Sequence, residues 1–238
     1  AVIYMSQGKP RRAGGGPYRI TDIDQVLERA ETIKDEGKGR RSMKLATRIN
    51  SYFRDGDKNL DRVFAEFQSV GLTHVDLNYP EHCTGVTAED MAAKLAAHEL
   101  QLNGCALRFR NAFLNGDLGN ADDALAAEAL ELCYEACDYC RTAGGNTVTI
   151  WLGHDGFDYS FQIAYARVFD QLVAAFQKVC DYAPDLKISI EYKPYEERAY
   201  AFIDSMGMTG MILNAADRPN LGVTLDYCHM LMKHENPA

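Results

Sequence analysis

The chain has 238 residues, 47% of them hydrophobic, with a formal net charge of −9 and a pI near 5.2. That length and apolar content suit one globular domain with a substantial core, while the acidic balance disfavours nucleic acid or an anionic membrane as the main partner. There is no run of about 18 apolar residues to serve as a transmembrane helix, and Ala1-Val2-Ile3-Tyr4-Met5 is too short for a signal-peptide core.

The first 42 residues differ from the rest. Lys9-Pro10-Arg11-Arg12-Ala13-Gly14-Gly15-Gly16-Pro17 reads as loop, and residues 23–34 as one amphipathic helix capped by Asp22 or Thr21. Gly37-Lys38-Gly39-Arg40-Arg41-Ser42 then precedes Met43. Two readings of residues 1–42 stand side by side: an N-terminal arm, or a translated ribosome-binding leader with the natural start at Met43, because Arg-Arg can be encoded by AGG-AGA.

From Met43 strands and helices alternate. Strands are expected over 44–50, 74–78, 102–109, 147–152, 186–192 and 221–225. The stripe Leu60, Val63, Phe64, Phe67 and Val70 makes a helix ended by Gly71. Thr87 caps a helix running to about residue 100, with Glu89 and Asp90 in its dipole-favoured first turn. Further helices are expected over 122–142, over 160–182, over 197–217 with a break near Gly207, and from Met230 onward. Seven cysteines, an odd number mostly within these elements, fit free thiols in a reducing cytoplasm. Cys133, Cys137 and Cys140 have the spacing of a radical-SAM iron–sulfur motif. With Ala126 and Leu130, however, they form a helical stripe, which fits buried small apolar side chains better.

Six strand–helix units in alternation imply a parallel sheet, either open and doubly wound or closed as a barrel. The first strand is followed by Asn50-Ser51-Tyr52-Phe53-Arg54-Asp55-Gly56, which matches no glycine-rich phosphate loop. Polar and aromatic residues instead gather at the C-terminal end of every strand, as a barrel mouth requires. The expected fold is therefore an α/β (β/α)₈ TIM barrel over residues 43–238, truncated after strand six, since a full barrel takes about 250 residues.

Two strand ends carry the chemistry. Ile190-Glu191-Tyr192-Lys193-Pro194 and Leu225-Asp226-Tyr227-Cys228-His229 put two carboxylates, an imidazole and a lysine on neighbouring strands. Glu191 and Asp226 are hard oxygen donors, His229 is a borderline nitrogen donor, and Lys193 shares a face with Glu191. The set suits a divalent metal handling an oxygen-rich substrate. As structural alternatives, Glu191 and Lys193 form an ion pair, and Asp226 caps the following helix.

From Met43 the chain resembles the xylose-isomerase-like TIM-barrel superfamily of sugar isomerases and epimerases, closest in motif to the xylose isomerase and L-rhamnose isomerase branch. Glu191-Tyr192-Lys193-Pro194 is similar to its strand-five Glu-x-Lys-Pro, and Asp226-x-x-His229 to its strand-six carboxylate-x-x-His. Trp151-Leu152-Gly153-His154-Asp155-Gly156 resembles its strand-four Trp-x-Gly-x-x-Gly. The resemblance implies that Glu191 and Asp226 hold a structural metal and His229 a catalytic one, with Mn²⁺ favoured over Mg²⁺ or Co²⁺. It implies that Lys193 contacts the carbonyl oxygen, that Trp151 walls the sugar, and that His82 assists ring opening. Arg108 is expected to contact sugar hydroxyls or a carboxylate, or to form a rim ion pair, and His154 to bind substrate. The remaining ligands of the family lie on strands seven and eight. A homo-oligomer is also implied, although the sequence carries no interface signal.

Lys193 separates the possible reactions. An epimerase moves a proton between two carboxylates on opposite faces of the sugar. A hydride-shifting isomerase needs positive charge where oxygen becomes negative, and a lysine beside a metal ligand suits that need. The expected activity is aldose–ketose isomerisation of an unphosphorylated sugar. The alternatives are a 3-epimerase, an inosose-type dehydratase or a C-glycoside-cleaving lyase of the same superfamily, or an inactive fragment. A DNA-repair endonuclease is disfavoured by the acidic charge.

Overall fold

The structure is a computed structural model that describes residues 2–5, 45–53 and 58–236. After β1 (Val2–Met5) and β2 (Ala46–Arg48), a regular alternation begins. Asn59 starts α1 (Leu60–Ser69) by accepting the Arg62 N–H at 3.1 Å. The predicted stripe of Leu60, Val63, Phe64 and Phe67 is buried, and Gly71 leaves the helix at φ +78°. Next come β3 (His74–Tyr79) and α2 (Ala88–Ala97), the latter capped by the Thr87 hydroxyl, which accepts the Asp90 N–H at 3.1 Å. β4 (Gln101–Arg108), α3 (Asp123–Thr142) and β5 (Thr147–Trp151) follow. Cys133, Cys137 and Cys140 are fully buried free thiols on the core face of α3, as their helical spacing predicts.

Beyond β5 lie β6 (Gly156–Phe157), α4 (Tyr165–Tyr182), β7 (Lys187–Glu191), β8 (Tyr200–Ala201), α5 (Met206–Ala216), β9 (Leu221–Asp226) and α6 (Tyr227–Met232). Three helix starts differ from the sequence expectation, and the strand expected over 44–50 is described only as Ala46–Arg48. α4 starts at Tyr165 rather than near 160, because β6 is drawn into an antiparallel pair with β8 and the intervening chain is loop. For the same reason the helix expected over 197–217 begins only at Met206. Arg198 is tied into the loops by Asp158 and Gln162, and Ser205 caps α5 by accepting the Met208 N–H at 3.2 Å. Gly207 therefore sits in the first turn of α5 and marks no break. The last helix begins at Tyr227 because Asp226, not a later residue, is its cap.

The main sheet has the order β1-β9-β7-β5-β4-β3-β2, and from β2 to β9 every neighbouring pair is parallel. The six parallel strands curl into part of a TIM barrel. β1 lies antiparallel on the outer edge of β9, with Val2 opposite Asp226 and Met5 opposite Val223. The predicted helix over 23–34 and Met43 lie outside the described residues. Among the described residues no helix is long and apolar enough to cross a membrane.

Strand alternation divides labour between the two faces of the sheet. Val75, Leu77, Val148, Ile150, Ile188 and Ile190 are fully buried in the core that includes the helices' apolar residues. Each such burial stabilises by about 1.5–3 kcal/mol. The opposite face carries Asn78, Thr149, Ser189 and Thr224, all buried. Thr149, Ser189 and Thr224 close a hydroxyl triangle of 2.7–3.1 Å. A hydrogen bond nets only about 1 kcal/mol, so the apolar face holds the fold and the concave face is left for polar chemistry.

Candidate active site

β7 and β9 end side by side. Glu191 is the last residue of β7 and is 5% exposed. Asp226 is the last residue of β9, and its Oδ1 caps α6 by accepting the Cys228 and His229 N–H groups at 2.8 and 3.3 Å. Capping uses one oxygen and leaves the other facing the imidazole. His229 Nε2 is 3.9 Å from Asp226 Oδ2, and Nδ1 is 3.9 Å from Glu191 Oε1. Ligand atoms of Glu191, Asp226 and His229 all lie within 4.8 Å of one another. The His229 Nδ1 is buried with no hydrogen-bond partner among the described residues. Two carboxylates and a ring nitrogen converging at that spacing fit a divalent cation. The structure thus brings together the three residues expected from sequence as metal ligands.

A fourth residue joins them. The Arg48 guanidinium, from β2, donates to Glu191 Oε2 at 3.2 Å. Sequence reasoning missed it because it looked past the end of the first strand to Asn50. The inner-face alternation of a three-residue strand is too short to read as a signal.

Trp151, at the end of β5, is 9% exposed and lies beneath two cations. Arg108 Cζ is 5.0 Å and Lys193 Nζ 5.4 Å from its ring. A Cβ at Gly153 would collide with the same ring. Lys193 is held by Glu196 at 2.5 Å and Glu197 at 3.0 Å. Burial works against its charge, but these two carboxylates outweigh burial and hold the ammonium above its ordinary pKa. Burial and the neighbouring Arg48 pull Arg108 below its ordinary value.

His82 stands four residues beyond Asn78, and its Nδ1 accepts the Asn78 backbone N–H at 2.8 Å. Burial first, then the positive charges of Arg108 and Arg48, press its pKa down to about 4 against the opposing pull of Glu81. His154 belongs to a different group. Its backbone N–H donates to Asp117 Oδ2 at 3.1 Å, and its ring faces Asp117 Oδ1 at 3.7 Å. The neighbouring Asp155 accepts the Asp117 and Gly119 N–H groups at 2.6 and 2.8 Å. Burial and the nearby Asp117 push Asp155 up to about 7. Asp117 and Asp155 went unassigned in the sequence because both lie in irregular loops, where no periodicity marks a buried carboxylate.

The fold is a curled parallel half-barrel with a carboxylate–carboxylate–imidazole cluster at its mouth. The xylose isomerase-like TIM barrel model matches residues 64–238, most of the chain, and the chain belongs to that family. Among solved structures it is similar to L-ribulose 3-epimerase, at 18% identity and a TM-score of 0.67 over 80% of this chain and 63% of that one. It is also similar to the IOLI protein with a bound zinc atom, at 18% identity and a TM-score of 0.63 over 82% and 66%. D-allulose 3-epimerase from Methylomonas sp. is a third, at 17% identity and a TM-score of 0.62 over 75% and 60%. The chain spans less than two thirds of the length of each. No curated protein sequence matches it.

Proposed function

We propose that this chain is a divalent-metal-dependent aldose–ketose isomerase acting on an unphosphorylated sugar, to whose metal site it contributes Glu191, Asp226 and His229. The observation that carries this reading is a charged lysine in the same mouth as a metal-type cluster. Lys193 lies two residues beyond Glu191 and over Trp151.

Although the resemblance divides these ligands between a structural and a catalytic metal, Glu191, Asp226 and His229 lie close enough together that they would hold one ion, with Mn²⁺ preferred and Mg²⁺ or Co²⁺ able to substitute. When bound, such an ion supplies Lewis-acid polarisation of substrate oxygens. The chain's own residues do the rest. An ammonium has three donors; Glu196 Oε2 at 2.5 Å and the two Glu197 oxygens at 3.0 and 3.3 Å surround Lys193 Nζ, and an oxygen on which negative charge develops would take the place of one of these contacts. Trp151 offers an apolar wall to sugar C–H groups, and Arg108 above it offers donors to hydroxyls. The partner is a small sugar; the net charge of −9 argues against nucleic acid or an anionic membrane.

A 3-epimerase is the second reading, supported by the carboxylates of Glu196 and Glu197 close to Lys193 and by the epimerases of the same fold. Incubation of the protein with Mn²⁺ and a panel of pentoses and hexoses in D₂O, followed by NMR, tests both. The isomerase reading expects an aldose–ketose pair with little solvent deuterium at C1 or C2. Deuterium at C3 of an unchanged ketose skeleton supports the epimerase instead, and no turnover of any sugar overturns both for this chain.

A further inference from the structure

The sheet does not hold the three candidate metal ligands equally. Glu191 ends a strand that has a neighbour on each side, and it is in register with Trp151 of β5 and with Thr224 of β9. β7 stops there, so its ladder with β9 covers Leu221 to Thr224 and goes no further. β9 runs on for two more residues, Leu225 and Asp226. Among the described residues the strand beside those two is β1, with Ile3 opposite Leu225 and Val2 opposite Asp226. β1 runs antiparallel on the edge of an otherwise parallel sheet. It therefore does more than extend the sheet: it pairs with the stretch of β9 that β7 leaves behind.

Asp226 carries His229 with it. Its Oδ1 accepts the Cys228 and His229 N–H groups at 2.8 and 3.3 Å, so the turn from β9 into α6 follows the Asp226 backbone. The far side of α6 is anchored separately. Met230 is buried in the core, and Glu235 accepts the Tyr192 hydroxyl and, at 2.8 Å, the Met206 N–H. What remains to be fixed is the junction from Thr224 into α6, and β1 supplies its sheet partner.

In an antiparallel pair, opposed residues alternate between exchanging hydrogen bonds and turning away from each other. One of Leu225 and Asp226 thus bonds to β1, while the other faces the side on which β7 has already ended. Without β1 the backbone of both residues loses its ladder, and a bound cation has to order the junction itself. Fixing the backbone of a single residue shifts an equilibrium by about tenfold. We propose that β1 is a positioning strand for the metal cluster. By pairing with Leu225 and Asp226 it holds the Asp226 carboxylate, and through it His229, opposite Glu191. The proposal rests on the metal reading of these three residues. Coupling of this kind is reciprocal, so the cation also tightens β1 on β9.

The test uses the full chain, Mn²⁺ and two double variants. Ile3→Pro with Tyr4→Pro removes two successive amide donors of β1, one of which faces β9. Ile3→Val with Tyr4→Phe keeps both. Calorimetry is expected to show Mn²⁺ bound about tenfold more weakly by the proline variant, and equally well by the conservative one. A strand that merely covers the sheet edge would lower the thermal midpoint of the proline variant and leave its Mn²⁺ affinity within about twofold of wild type; that result overturns the proposal. Hydrogen exchange of the wild type reads the reciprocal effect. Mn²⁺ should slow the amides of residues 3–5 together with those of residues 225–229, and slowing at 225–229 alone also overturns it. If the proline variant fails to fold, this wild-type comparison decides. If the wild type binds no Mn²⁺, the metal reading fails by itself, and metal-free exchange decides the role of the strand. Faster exchange over residues 225–229 in the proline variant then upholds it, and unchanged exchange sinks it.

Discussion

Arg48 and Glu191 meet at 3.2 Å across 143 residues of sequence, although three strands of the sheet stand between β2 and β7. A flat sheet would hold those strands some 19 Å apart at about 4.8 Å per strand. The contact is therefore a chord across the curl, and it sets a cation against one carboxylate of the candidate metal cluster.

That pairing predicts competition between Arg48 and a metal. Glu191 is nearly enclosed and Arg48 about a quarter exposed. Removing one partner of a fully buried pair costs about 3–5 kcal/mol, and partial exposure reduces this to about 1–3 kcal/mol. Arg48→Met should lower the melting temperature in EDTA, and Mn²⁺ should restore more stability to the variant than to the wild type. Equal gains from Mn²⁺ in both proteins would show that the two cations do not share Glu191.

Lys193→Ala should separate chemistry from metal binding. Lys193 touches Glu196, Glu197 and the face of Trp151 rather than the metal cluster. The isomerase reading expects turnover to fall by about two orders of magnitude, the scale of one lost charge-stabilising donor. Mn²⁺ affinity, read by calorimetry, should change by less than about threefold. Unchanged turnover would remove the isomerase assignment.

Gly153 controls the Trp151 wall. A Cβ there would overlap the indole, so Gly153→Ala must displace the ring from beneath Arg108 and Lys193. Because Trp151 is the only tryptophan, the displacement is readable as a change in emission wavelength and acrylamide quenching. A spectrum identical to wild type would mean that the ring is not held as described.

The Asp117–His154–Asp155 group predicts a pH dependence of stability. Burial raises both carboxylates, Asp155 to about 7, and the Asp117 carboxylate facing the imidazole at 3.7 Å raises His154. A group with a higher pKa when folded holds more protons in the folded state. Its contribution is therefore fully present below its unfolded pKa and declines as the pH rises through the folded value. For Asp155 that window runs from about 4 to about 7, with a slope of up to about 1.4 kcal/mol per unit. Urea unfolding at pH 4.5 and 7.5 should show Asp155→Asn losing less stability than wild type over this rise. Parallel losses in the two proteins would contradict the assignment.

Much of this was legible along the chain. Helix starts at Thr87 and Asp122 follow from side chains that cap their own backbone, and the buried stripe of α1 follows from 3.6-residue spacing, although its cap at Asn59 went unread. The alternation of six strands with helices implied a parallel sheet. Glu191, Asp226 and His229 were conspicuous because strand ends concentrate function in such sheets. The late starts of α4 and α5 were not legible, since they depend on β6 pairing with β8 more than forty residues away. Local propensity contains no term for that pairing.

The repeating strand–helix pattern, most of the caps and the types of side chain at each strand end can be read along the chain, because these depend on neighbours within a few positions. That Arg48 faces Glu191, that the Asn78 backbone N–H reaches His82 Nδ1 and that His154 turns to Asp117 emerges only in the folded chain. Those relationships are set by the curl of the sheet and the packing of its loops. Both arise from the accumulated twist and burial of distant segments, which no single stretch of the chain encodes.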